Sequence, residues 1–139
     1  MTFLVERLAE LLRHLEHLEG LRASAQDSGA LRRSLTLHND VLFSLFTVCQ
    51  LVIDIAGELA ARRGDRFEDY TEAIRSLGRD ARFPAALVKS LEPLAGFRNV
   101  IAHDYVSLDL DRVIDALSSL EPIHAFAELV RGLEAGETR

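Results

Sequence analysis

A segment from about Leu31 to Arg63, closed by Gly64, carries apolar residues most of the way round a helix, and no other stretch limits the fold as strongly. Leu42, Leu45, Phe46, Cys49, Ile53, Ala56 and Ala60 make one face at helical spacing, and Val48, Ile55 and Leu59 widen it past the usual stripe. A helix this apolar belongs in the middle of other helices. Its polar remainder is narrow: Asp40, Thr47, Gln50, Asp54 and Glu58 fall within about 80° of one another on a helical wheel. Such a strip either faces solvent or lines a cleft, and the pattern leaves both open.

The flanking segments supply the partners. Leucines 4, 8, 11, 15 and 18 recur at spacings of four and three, which predicts a helix over residues 2–21, stopped by Gly20 and the turn-forming 24–29 segment. A polar connection follows the long helix, with a short helix around Phe67–Leu77. Pro84 suits a first helical turn, and Pro93 predicts a kink or a restart. Asp109 or Asp111 can cap the last helix, whose inner stripe is Val113, Leu117, Leu120, Phe126, Val130 and Leu133, interrupted by Pro122. No segment alternates like a strand, and no hairpin turn signal occurs. The expected architecture is all-α, an antiparallel bundle of four or five helices in a single domain over 1–139, with 132–139 as a frayed tail.

Charge bounds the partners. The chain of 139 residues has a formal net charge of −6. Non-specific affinity for nucleic acid comes from neutralising phosphates, so this composition argues against a basic DNA-binding module. The positive charge is pooled: residues 62–89 hold seven basic and five acidic side chains, while both flanks are acidic. Those arginines read either as a phosphate rail or, because acids are interleaved, as a solvated connection. Cys49 is the sole cysteine, which excludes an intrachain disulfide and the paired-cysteine zinc spacings. It reads as a buried, inert thiol. Glu6 and Glu10 break up the apolar N-terminus as no signal peptide would, and no uninterrupted apolar run approaches the roughly 20 residues that span a bilayer. A cytoplasmic protein without a membrane partner is expected.

Four of the five histidines read as surface or structural. His14 and His17, at i and i+3, have a metal-compatible spacing but an ordinary charged neighbourhood; His38 lies near the start of the long helix and His124 just after Pro122. His103 differs. It stands five residues after Arg98 and two before Tyr105 in the string FRNVIAHDY, where Val100, Ile101 and Ala102 anchor the turn in the core. An ideal helix sets Arg98 and His103 about 140° apart, so the two share a site only if the helix bends or ends between them.

This string resembles the signature of the HepT-type toxins of the HEPN superfamily: Arg, a polar residue, three residues, His, any residue, Tyr. The LVIDIAGELAARRG segment, the FEDYTEAI stretch and the closing DLDRVIDAL helix are similar to that family too, so the likeness covers roughly residues 5–133. It implies a metal-independent endoribonuclease without a cofactor, the toxin of a toxin–antitoxin pair acting on RNA rather than DNA. By position, Arg98 and His103 would be the catalytic pair, with Asn99 supporting them. The chemistry is consistent, because a ribose 2′-hydroxyl can attack the neighbouring phosphate. The protein then supplies a proton-transfer group and a cation on the phosphoryl oxygens.

The resemblance also implies a homodimer whose two motifs meet in one cleft, which would remove the difficulty of the helical phase. Asp54 and Glu58 would lie near enough to orient the basic pair. The implied partner is a minimal nucleotidyltransferase antitoxin that transfers AMP to Tyr105, so that added phosphate charge and bulk keep RNA from Arg98. The plainer reading of Tyr105 is packing over its helix end. Two rival functions remain: a non-catalytic helical partner that binds a nucleotidyltransferase or a nucleotide, and a plain helical interaction module.

Overall fold

A computed structural model of the chain describes residues 2–137. Among these residues all regular structure is helical: α1 (Thr2–Leu21), α2 (Ser28–Arg33), α3 (Leu35–Arg62), α4 (Tyr70–Arg75), α5 (Ala85–Leu91), α6 (Pro93–His103), α7 (Leu110–Leu117) and α8 (Glu121–Glu137). Short 3₁₀ turns follow α4 (Ser76–Arg79) and α6 (Tyr105–Ser107). The all-α bundle read from periodicity is the fold; the long helices form the bundle and the short ones serve as its connections.

α3 occupies the centre. Twelve of its side chains, from Val41 to Ala60, are buried. Its length and composition would allow a membrane crossing, but over half of its most apolar stretch is buried by the other helices. α1 lies along it and inserts Leu4, Leu8, Leu11, Leu15 and Leu18, all buried. At roughly 1.5–3 kcal/mol for each fully buried leucine, that stripe is what holds α1 in place. Residues from Leu4 to Leu133 join one continuous apolar cluster. Cys49 lies within the bundle, and burial pushes its thiol up to about 12, as an inert core cysteine requires.

Three boundaries differ from the sequence pattern. The helix expected from Leu31 is broken at Ser34, whose backbone is extended and whose Oγ accepts the Leu37 N–H at 3.1 Å. Asp27 caps α2 in the same way, taking the Ala30 N–H at 2.8 Å. Two capping residues therefore start two helices where apolar periodicity showed one. The helix expected over Phe67–Leu77 is α-helical only from Tyr70, where Asp69 caps it, and tightens after Arg75 into a 3₁₀ turn. The tail expected from Gly132 is helical to Glu137, because Leu133 and Glu134 are buried. Thr138 and Arg139 lie outside the described residues.

The prolines restart helices: Pro93 opens α6, and Pro122 sits in the first turn of α8. Asp109, rather than Asp111, caps α7. The arginine-rich connection is largely self-neutralised. Arg63 pairs with Asp65 at 2.9 Å and donates to the Ser76 carbonyl at 2.8 Å; Arg79 reaches Asp65 at 3.1 Å, and Arg82 grips Asp80 at 2.7 Å. Gly64 turns the chain into this connection with a φ of 79°, in the left-handed region that favours glycine.

Candidate active site

Arg98 lies midway along α6 and is turned inward. Its Nε donates to Gln50 Oε1 on α3 at 2.7 Å, and its Nη1 donates to Asn99 Oδ1 at 3.1 Å. The guanidinium carbon is 5.1 Å from the centre of the Phe46 ring and 5.0 Å from that of Tyr70. Two aromatic faces on this half-buried cation add roughly 0.5–1 kcal/mol each. Gln50 is fixed in turn, since its amide donates to Asp54 Oδ1 one helical turn on, at 2.8 Å. The result is a half-buried, oriented guanidinium whose Nη2 has no hydrogen-bond partner among the described residues. Two N–H donors there are free for an anion.

The polar strip of α3 thus divides by function. Gln50 and Asp54, in its middle, position Arg98. Glu58 turns instead to Arg62, at 3.2 Å, and does not reach the site. Asp40 pairs with His17 of α1 at 2.7 Å, and Thr47 bonds the Phe43 carbonyl at 2.8 Å. Spacing alone placed Asp54 and Glu58 together; the i,i+4 pairing of Gln50 with Asp54 separates them.

His103 is the last residue of α6, exposed, with no hydrogen bond or ion pair to any described residue. α6 runs unbroken from Pro93 to His103, so the helical phase is retained and no contact joins Arg98 to His103 within one chain. The bend that would bring them together does not occur. Tyr105 follows in the 3₁₀ turn, half exposed, with its hydroxyl 3.3 Å and 3.4 Å from the two ring nitrogens of His38.

Sequence reasoning passed over four residues of this neighbourhood. Gln50 was visible only as a member of the strip, Phe46 as core, and Tyr70 as part of the FEDY stretch. His38 had no signal beyond its place near a helix start. The other histidines also bridge helices rather than simply facing solvent: His14 lies 3.2 Å from Ser44 Oγ, His17 pairs with Asp40, and His124 meets Glu19 at 3.1 Å.

An apolar surface borders the site. Phe43, Tyr105 and Val106 are exposed, Val106 almost completely, at 96%. Beside them a groove of about 400 Å³ is lined by Leu42, Phe43, Phe46, Ile101, Ala102 and Tyr105. Phe46 is shared between this groove and the Arg98 cradle.

The chain has relatives of known description. A family described as ribonuclease HepT-like matches residues 11–130. The mRNA nuclease HepT of Shewanella oneidensis is 22% identical over 130 residues, covering 92% of this chain and 96% of that protein. A candidate RNase of Archaeoglobus fulgidus is 33% identical over 87 residues, 63% of this chain and 66% of that protein. Among solved structures, a tri-AMPylated S. oneidensis HEPN toxin in complex with MNT antitoxin has a TM-score of 0.81 at 21% identity, covering 95% of this chain and 98% of that one. A toxin–antitoxin structure with AMP-PNP has a TM-score of 0.80 at 20% identity, covering 94% and 98%. These structures share its fold, and with the family matched from residue 11 to residue 130 the chain belongs to the HepT-like ribonucleases.

Proposed function

We propose that this chain is the ribonuclease toxin of a toxin–antitoxin pair. It is a metal-independent endoribonuclease of the cytoplasm that cuts RNA with Arg98 and His103, in a cleft shared by two copies. A nucleotidyltransferase antitoxin restrains it by AMP transfer to Tyr105. The observation that carries this reading is the cradle of Arg98: a guanidinium fixed on three sides with Nη2 left to donate to a phosphoryl oxygen. Such a group stabilises charge that grows on the phosphate as the 2′-oxygen attacks. His103 moves the proton, and its lack of a hydrogen-bond or ion-pair partner among the described residues suits that role. Asn99, Gln50 and Asp54 position the arginine; Glu58 has no part.

The second copy is supported by two features. The helical phase directs Arg98 and His103 of one chain away from each other. The exposed Phe43 and Val106 and the adjoining groove offer an apolar face next to the site. Two facing copies bring two imidazoles to one scissile phosphate, so one can take the 2′-hydroxyl proton while the other protonates the leaving 5′-oxygen. The antitoxin follows from the relatives: one is described as an mRNA nuclease, and another is AMPylated and bound to an MNT antitoxin. Here Tyr105 is exposed two residues beyond His103, where an attached nucleotide adds a phosphate beside the cleft.

Growth after induced expression tests the reading. The wild-type chain should arrest growth, and Arg98→Ala and His103→Ala should not. Equal toxicity of all three would overturn it. Tyr105→Phe should keep RNA cleavage but escape the antitoxin.

A further inference from the structure

The HND tripeptide, His38–Asp40, has no role in the site described so far, yet the fold carries its histidine to Tyr105. The two are 67 residues apart in sequence. Their rings meet edge-on, with centres 5.8 Å apart and planes at 82°. The Tyr105 hydroxyl lies 3.3 Å from Nδ1 and 3.4 Å from Nε2 of the half-buried His38. Asn39 Oδ1 is 3.2 Å from Nδ1. An amide oxygen only accepts, so this contact is a hydrogen bond in the tautomer that carries its hydrogen on Nδ1, and in that tautomer Nε2 is the ring's acceptor, 3.4 Å from the Tyr105 hydroxyl. His38 is anchored in the first turn of α3, which Ser34 caps, and does not depend on a loop for its position.

We infer that His38 is the general base that takes the Tyr105 proton when this hydroxyl is nucleotidylated, and that Asn39 sets its tautomer. The inference rests on Tyr105 being the modified residue. A phenol is almost wholly protonated at neutral pH and is then a weak nucleophile, whereas a neutral imidazole is a competent acceptor. In the step, Tyr105 Oη attacks the α-phosphorus of a nucleoside triphosphate. The new O–P bond forms as the bond from that phosphorus to the bridging oxygen breaks, and pyrophosphate leaves with the electron pair. The phenolic proton passes to His38 Nε2, and the imidazolium returns it to water. The resting separation of 3.4 Å is a little longer than the roughly 2.6–3.2 Å of a working proton transfer, and such contacts tighten in the reacting complex. The antitoxin then has to deliver the nucleotide, while the toxin activates its own acceptor.

The test follows AMP transfer to Tyr105 by intact mass, using the full-length toxin, its nucleotidyltransferase antitoxin and ATP. His38→Ala should lower kcat by about 10²–10³-fold with KM for ATP unchanged, and added imidazole should restore part of the rate. Asn39→Ala should cost roughly tenfold. A His38→Ala protein modified at the wild-type rate would overturn the inference alone, leaving Tyr105 modification in place. So would a loss confined to KM, or a folded His38→Ala protein and a folded His38→Gln protein that both lose rate without imidazole rescue. Wild-type Tyr105 that takes up no AMP would overturn the inference together with the modification beneath it.

Discussion

Arg98 Nε and Gln50 Oε1, 48 residues apart in sequence, meet at 2.7 Å and tie α6 to the central helix at the candidate site. Removing that acceptor frees the guanidinium to rotate between its two aromatic neighbours. Gln50→Leu should therefore lower RNA cleavage by about 10- to 100-fold, mostly in kcat, since a hydrogen bond to a charged group contributes roughly 1.5–3 kcal/mol. Gln50→Glu retains an acceptor and should lose far less. Circular dichroism should show both variants folded, and single-turnover cleavage would measure the difference.

The exposed Phe43 and Val106 carry the prediction about assembly. The wild-type chain should be a dimer at micromolar concentration, by light scattering or sedimentation. Phe43→Asp and Val106→Asp, which place a charge on the apolar face, should yield monomers that are folded but cleave RNA poorly. Full cleavage by a stable monomer would remove the shared cleft from the mechanism.

Glu134 is a stability test. Its carboxylate is buried, makes no hydrogen bond to the described residues, and lies 3.8 Å from Nη1 of Arg62, whose Nε donates to Glu58. Arg62→Ala strands that charge and should destabilise the fold by about 2–4 kcal/mol in chemical denaturation. Glu134→Leu should be neutral or stabilising, and combining it with Arg62→Ala should recover most of the loss.

Asp80 sets an acid limit. Hydrogen bonds from the Arg82 guanidinium outweigh the opposing effect of burial and, with the Arg82 backbone N–H, hold its carboxyl down at about 2, against an ordinary 3.8. A folded value below the unfolded one means the interaction stabilises fully above about pH 4 and is lost as pH falls from 3.8 toward 2. The stability difference between wild type and Asp80→Asn should be constant from about pH 5 to 8 and shrink below pH 4.

The bundle was legible because period and burial are one fact for a helix. Every leucine of the α1 stripe and every residue of the Val113–Leu133 stripe is buried where spacing put it. Helix ends were less legible. Ser34 competes for the backbone through its hydroxyl, and apolar periodicity does not register that; Glu134 is buried beside Arg62 of the central helix, a contact that no local pattern encodes. The candidate pair Arg98 and His103 stood out as residues, but the cradle did not. Gln50, Phe46 and Tyr70 come from three separate stretches of chain, and only the packing of α3, α4 and α6 brings them to one guanidinium.

The unbroken course of α6 has a genetic consequence. In the proposed shared cleft, with Arg98 and His103 of each copy about 140° apart on α6, one subunit would not complete the site by itself. A copy lacking the arginine and a copy lacking the histidine would still bring one guanidinium and one imidazole to the shared cleft, in place of two of each. Cells expressing Arg98→Ala together with His103→Ala should regain part of the growth arrest that each variant lacks alone. On the proposed mechanism the spacing of five would act as an assembly requirement, keeping a newly made monomer harmless until it meets a second.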